Sequence, residues 1–136
     1  MTAAPTRVEF HDGADPVVTA ARLLPAALAD GREALVLAAD AAQAQALDAR
    51  LWDLGPDVFL PHALADDPHA AAARVLIAAP GQPEPPRAVV LNLREAAVTL
   101  PCGHIIELVP ADEPGKAAAR ARWRAYTARG LKPRKL

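Results

Sequence analysis

The sequence predicts an α/β protein, a three-layer arrangement in which a mostly parallel sheet is flanked by helices. Two observations carry that prediction. Several short runs are apolar without a break, as strands buried on both faces of a parallel sheet must be. These runs alternate with longer stretches at helical spacing, the order expected when helices connect parallel strands. With 136 residues the chain is expected to form a single domain, residues 1–136, large enough for one core but short for a cleft between two lobes. Hydrophobic residues make up 52% and include many alanines, whereas aromatics are only 4%. The core is therefore expected to be Ala, Val and Leu, and each aromatic is worth placing.

Arg7-Val8-Glu9-Phe10-His11 alternates apolar and polar residues and predicts a first strand, closed by the turn chemistry of Asp12-Gly13. A helix is predicted over about 17–29, with Val17, Ala20, Ala21, Leu24 and Leu28 near helical spacing. Pro25 should kink it or force a local adjustment, and Asp30-Gly31 should stop it. The continuous run at 34–38 predicts a fully buried strand. Asp40 then caps a second helix, with Gln43 as its capping-box partner. That helix is expected to reach Trp52 and to end at Gly55-Pro56. Strands are predicted over 75–79 and 88–91, separated by a Pro- and Gly-rich linker at 80–86 that regular structure cannot accommodate. A fifth strand is expected at 105–109, and Pro114 should open the last helix at a position that tolerates proline.

The charge distribution is the strongest functional signal. Residues 114–136 hold Lys116, Arg120, Arg122, Arg124, Arg129, Lys132, Arg134 and Lys135 and no carboxylate. Residues 1–113 hold the other seven basic groups and all sixteen acids, so a body of −9 carries a tail of +8 behind a net charge of −1. One end of the molecule is therefore expected to meet an anionic partner.

Catalytic classes find little support. None of the seven glycines forms a dinucleotide fingerprint or a phosphate-binding loop, and the first strand leads into a turn whose Asp12 and Asp15 would face a phosphate. A small nucleotide-dependent enzyme is thus disfavoured, and no cofactor is expected. Cys102, His104 and Asp112 could be imagined as a metal or nucleophile cluster, but C-x-H lacks the second ligand pair that makes zinc spacings specific. Asp66-Asp67 near His62 and His69 reads more simply as a polar loop. The lone cysteine excludes an internal disulfide and suits a reducing compartment. No stretch approaches a membrane span, and the start of the chain lacks a basic region followed by an apolar run, so a soluble cytoplasmic protein is expected.

Two surfaces remain as candidates. Trp52, at the end of the second helix, and Phe59, in the loop after it, could be core residues or an exposed contact pair; the residues alone leave this open. On the last helix Lys116, Arg120 and Arg124 recur every fourth residue, and Trp123 lies beside them. Arg122, Tyr126 and Arg129 form a second row, and the alanines at 117, 118, 121, 125 and 128 offer a small-residue face able to approach the sheet. Like charges stacked at this spacing repel, and no acid within 114–136 relieves them. A face that tolerates this is expected to bind negative charge rather than to be merely solvated.

The stretch L-W-x-x-x-P-x-x-F-L-P-H-x-L-A at Leu51 to Ala65, with A-R-A-R-W-R-A-Y at Ala119 to Tyr126 and A-V-V-L-N-L at Ala88 to Leu93, resembles the chi-subunit family of bacterial DNA polymerase III. The likeness covers nearly the whole chain. It implies a Rossmann-like fold without a phosphate-binding loop. It also implies a non-enzymatic replication adaptor, joining the clamp loader to the acidic C-terminal tail of single-stranded DNA-binding protein. In that family the tail docks on the last helix, and the matching positions here are Arg120, Trp123 and Arg124, with Lys116 close by; the family commonly has Tyr and Lys in place of Trp123 and Arg124. Trp52 and Phe59 match residues that contact the psi subunit or, alternatively, an XPD-like helicase. DNA would then be met only indirectly. Direct nucleic-acid binding through the basic helix and Lys132-Pro133-Arg134-Lys135 is the competing reading, weakened by an acidic body and only two aromatics in the basic segment.

Overall fold

The computed structural model describes residues 6–136, so the first five residues of the expected domain lie outside the described residues. Seven strands form one sheet in which every pairing is parallel: β1 (Arg7–Asp12), β2 (Ala34–Leu37), β3 (His62–Leu64), β4 (Val75–Ala78), β5 (Val89–Asn92), β6 (His104–Val109) and β7 (Arg134–Lys135). Their order across the sheet is β3-β4-β2-β5-β6-β1-β7. Three helices, α1 (Pro16–Ala27), α2 (Ala41–Trp52) and α3 (Glu113–Ala128), complete the three layers.

The buried runs behave as their composition requires. β2, β4 and β5 are buried at every position, so alternate residues feed two separate cores. On one face Ala34, Val36, Val75, Ile77, Val89 and Leu91 meet Leu24 and Leu28 from α1 and its end, and Leu47 and Leu51 from α2. On the other, Val8, Phe10, Leu35, Leu76, Val90 and Ile105 meet Ala119 and Tyr126 of α3. The alternation in β1 puts Val8 and Phe10 on the α3 side.

Caps fix where the helices begin. Asp15 accepts hydrogen bonds from the Val17 and Val18 N–H groups, so its carboxylate satisfies the first turn of α1. Asp40 accepts from the Gln43 N–H at 2.7 Å while the Gln43 side chain accepts from the Ala39 N–H, a reciprocal box shifted by one residue. Pro25 is accommodated inside α1, which runs on to Ala27; only the last turn lies beyond the missing N–H.

Several expectations need correction. The last helix starts at Glu113, capped by Asp112, rather than at Pro114. Its sheet-facing side is Ala119, Arg122 and Tyr126, while Ala117, Ala121 and Ala128 face solvent. Two strands and a 3-10 turn at Ala70–Ala72 were not foreseen. β3 is three residues long behind Pro61, and β7 is only two charged residues, so neither carries a periodic pattern. Arg and Lys on the outermost strand also suit an edge that must not recruit another chain.

Candidate partner-binding groove and a second aromatic surface

The last helix is built to hold one face in a fixed orientation. Asp112 accepts from the Gly115 N–H at 3.0 Å, closing the first turn. A Cβ on Gly115 would lie 2.7 Å from the Pro110 ring, so only glycine lets this cap close against the end of β6. Further along, Arg122 projects into the protein. Its Nε donates to Glu107 Oε1 at 2.8 Å, and its other nitrogens reach the carbonyls of Leu108 and Glu95. Glu107 is fully buried, and Tyr126 and Asn92 donate to its second oxygen; the Tyr126 hydroxyl in turn accepts from the Val98 N–H at 2.9 Å. Burial raises the Glu107 carboxyl above its ordinary range, opposed chiefly by the Arg122 charge. Burial, then the neighbouring Glu107 charge, raises the Tyr126 phenol.

Helical spacing sets Arg122, Tyr126 and Arg129 in a second, adjacent row. Arg122 and Tyr126 are instead core residues, and the Arg129 guanidinium donates to the Val98 carbonyl and sits 5.6 Å from the Tyr126 ring. The signal that could have shown this was Glu107. A carboxylate in the middle of a buried strand demands a buried cation.

With Arg122 turned inward, Lys116, Arg120, Trp123 and Arg124 are left together on one side of the helix. They line a groove of about 430 Å³ whose other walls are Phe10, Val109, Ala119 and Lys135. Phe10 of β1 is buried and its ring centroid lies 5.0 Å from that of Trp123 at 45°, so one aromatic supports the other from beneath. The groove therefore has an apolar floor, an indole wall that remains half-buried, and four cations around it. Two carboxylates reach those cations. Glu113 lies 3.9 Å from Lys116 and 3.8 Å from Arg120, and Asp12 lies 2.7 Å from Lys135. The expectation that no acid relieves the stacked cations is thus corrected: Glu113 stands one residue outside the segment that was counted. Among the described residues Arg124 makes no ion pair. Phe10, Val109 and Lys135 were missed by sequence reasoning, because only strand pairing sets Phe10 and Lys135, from the two ends of the chain, beside Val109 and α3.

The second surface lies on the β3 side. Trp52 is 70% exposed and Phe59 83%, which removes the core alternative for both. Leu51, Leu60, Pro61, Ala63 and Ala73 help line a shallow depression of about 440 Å³ between them. The Trp52 ring rests 4.6 Å from the His62 imidazole. That imidazole is fixed in turn, with Nδ1 2.9 Å from the Leu60 carbonyl and Nε2 3.0 Å from the Asp48 carbonyl.

The rejected clusters do not assemble. Cys102 and His104 sit at the start of β6, whereas Asp112 lies beyond its other end capping α3. Burial raises the Cys102 thiol, the wrong direction for a nucleophile. Asp67 accepts from the His69 N–H in a local turn. Among the described residues no three His, Cys, Asp or Glu side chains converge as a metal would require, and no helix is long and apolar enough to cross a membrane.

Comparison with known proteins identifies the family. The DNA polymerase III chi subunit (HolC) family profile matches residues 6–134. The chain belongs to that family. Among its relatives, the chi-family chain is 35% identical over 135 residues to the DNA polymerase III subunit chi of Pseudomonas aeruginosa, covering 92% of each. It is 30% identical over 104 residues to the subunit chi of Escherichia coli K12, covering 74% of this chain and 71% of that one. It is thus a replication accessory subunit by family. Solved structures extend the fold beyond chi proteins: the C-terminal domain of the DEAD-box protein Dbp5 superposes with a TM-score of 0.65 at 14% identity, covering 97% of this chain and 89% of that one. A Saccharomyces cerevisiae Dbp5 variant bound to Nup159, Gle1, IP6 and ADP gives 0.67 at 12%, covering 96% and 41%. At such identity the likeness is one of fold alone.

Proposed function

We propose that this chi-family chain is a non-catalytic adaptor of the clamp loader that grips the acidic C-terminal tail of single-stranded DNA-binding protein in the groove on α3. The observation that carries the reading is the composition of that groove: Lys116, Arg120, Arg124 and Lys135 surround an apolar floor beside Trp123. A peptide with several carboxylates and a terminal phenylalanine needs both parts, cations for its acids and an apolar slot for its ring. Arginine suits the terminal carboxylate, because its planar fork meets two oxygens at once. Trp123 and the stem of Arg124 supply the slot, with Phe10 beneath.

Trp52 and Phe59 form the second contact, for the psi subunit or an XPD-like helicase. Exposed aromatics around a depression are the residue types that anchor protein interfaces. The two surfaces belong to opposite ends of the sheet order, β3 and β7, six strand steps or roughly 29 Å apart. Both partners can therefore be held at once, as an adaptor requires. DNA is reached only through the bound protein, and the working compartment is the cytoplasm.

Titration with a synthetic acidic-tail peptide, and separately with a single-stranded oligonucleotide at moderate salt, tests the reading. Micromolar peptide binding, about 8 kcal/mol, is expected for a flexible segment ordered on docking. Its affinity should fall as salt rises. Oligonucleotide binding without peptide binding would instead make the basic helix a nucleic-acid surface.

A further inference from the structure

We infer that Lys135 of β7 is a ligand-binding cation of the groove, and that Asp12 occupies it until a carboxylate of the peptide takes its place. The inference rests on the proposed function and adds a residue and a competition to it. Lys135 closes the groove on the side away from α3. It stands in register with Phe10, the floor residue, so strand pairing sets its distance from the apolar slot. The Leu136 N–H donates to the Phe10 carbonyl at 2.9 Å, and β7 is thereby held to β1 through backbone.

The side-chain pair does a different job. Lys135 Nζ and Asp12 Oδ2 are 2.7 Å apart, yet the two side chains are 45% and 72% exposed. An ion pair so open to water contributes little to stability and exchanges readily. That exchange swaps one carboxylate for another at the same ammonium. A peptide of several acids lying along Arg120 and Arg124 can extend one of them to Lys135 from the opposite wall. Asp12 is then left to water, and losing its pair with Lys135 is what the peptide must offset.

This arrangement predicts opposite signs for the two partners of one ion pair. Lys135→Ala should weaken binding of the synthetic acidic-tail peptide by about two- to fivefold, and Asp12→Asn should strengthen it by a similar factor. In the Lys135→Ala background the Asp12→Asn gain should largely disappear, since that gain acts through Lys135. Lys135→Gln, which keeps the aliphatic stem, should weaken binding as Lys135→Ala does. If the pair were only a staple between β1 and β7, both single variants would shift affinity in the same direction, and the inference would be wrong. It would also be wrong if both left affinity unchanged while Arg124→Ala abolished it, a result that preserves the proposed function. An unmodified chain that fails to bind the peptide removes both readings.

Discussion

Arg120 and Arg124 stand one turn apart on the same flank of α3, but only Arg120 meets a carboxylate of its own chain, 3.8 Å away on Glu113. A bound carboxylate must compete with Glu113 for Arg120, whereas Arg124 is open to it. Hydrogen bonds to charged groups contribute about 1.5–3 kcal/mol, so Arg124→Ala is predicted to weaken the acidic peptide roughly ten- to a hundredfold by calorimetry. Arg120→Ala should cost less, and Glu113→Gln should tighten binding. Equal losses at the two arginines with no gain at Glu113 would show that Glu113 does not compete. At this scale the sequence disclosed the cations and the indole, because helical spacing alone puts Lys116, Arg120, Trp123 and Arg124 on adjacent rows. It could not disclose Phe10 or Val109. Both are ordinary apolar strand residues until sheet pairing sets them beside Trp123.

The element that orients the groove is α3, and its rotation about its own axis is fixed by Arg122 and Glu107. Removing one member of a buried ion pair strands the other, a cost of about 3–5 kcal/mol. Arg122→Ala is therefore predicted to lower the urea midpoint markedly. The double replacement Arg122→Met with Glu107→Leu should lose less than Arg122→Ala does, since no buried charge is left alone. A double variant at least as unstable as the single would mean that the hydrogen bonds of Tyr126 and Asn92, not the ion pair, set the stability of this contact. The start of the helix was legible to within a residue, through Pro114. Which face points inward was not. The alanine-rich face reads as the packing surface and Arg122 as part of an outward row, yet the buried carboxylate on β6 draws Arg122 inward and leaves Ala117, Ala121 and Ala128 in solvent. Strands β2, β4 and β5 were readable because burial on two faces leaves an unbroken apolar run, and β6 because Ile105, Ile106, Leu108 and Val109 surround Glu107. β3 and β7, short and at the edges, have no such run to read.

Across the whole molecule the −9 body and +8 tail resolve into a cationic groove beside β1 and β7 and an aromatic surface beside β3. Trp52→Ala and Phe59→Ala should leave the acidic-peptide titration unchanged while abolishing capture of the psi subunit or helicase. Loss of both together would indicate a damaged fold. Acid should destabilise the protein through His104. Burial, then the Arg7 charge, lowers this imidazole below its ordinary 6.5, with Glu9 opposing. The unfolded chain takes up the proton first, so stability is full above about pH 6.5 and falls as pH drops below it. His104→Gln should flatten urea midpoints measured between about pH 7.5 and 5.5. Parallel curves for the two proteins would exclude His104 as the cause.

The most direct measurement is a backbone amide chemical-shift titration of the labelled chain with the acidic-tail peptide. The groove predicts that perturbed resonances gather at Phe10, Val109, residues 116–124 and residues 134–135, on the two sides of one slot. Shifts confined to residues 52–73, or scattered over every basic side chain of the tail, would contradict it.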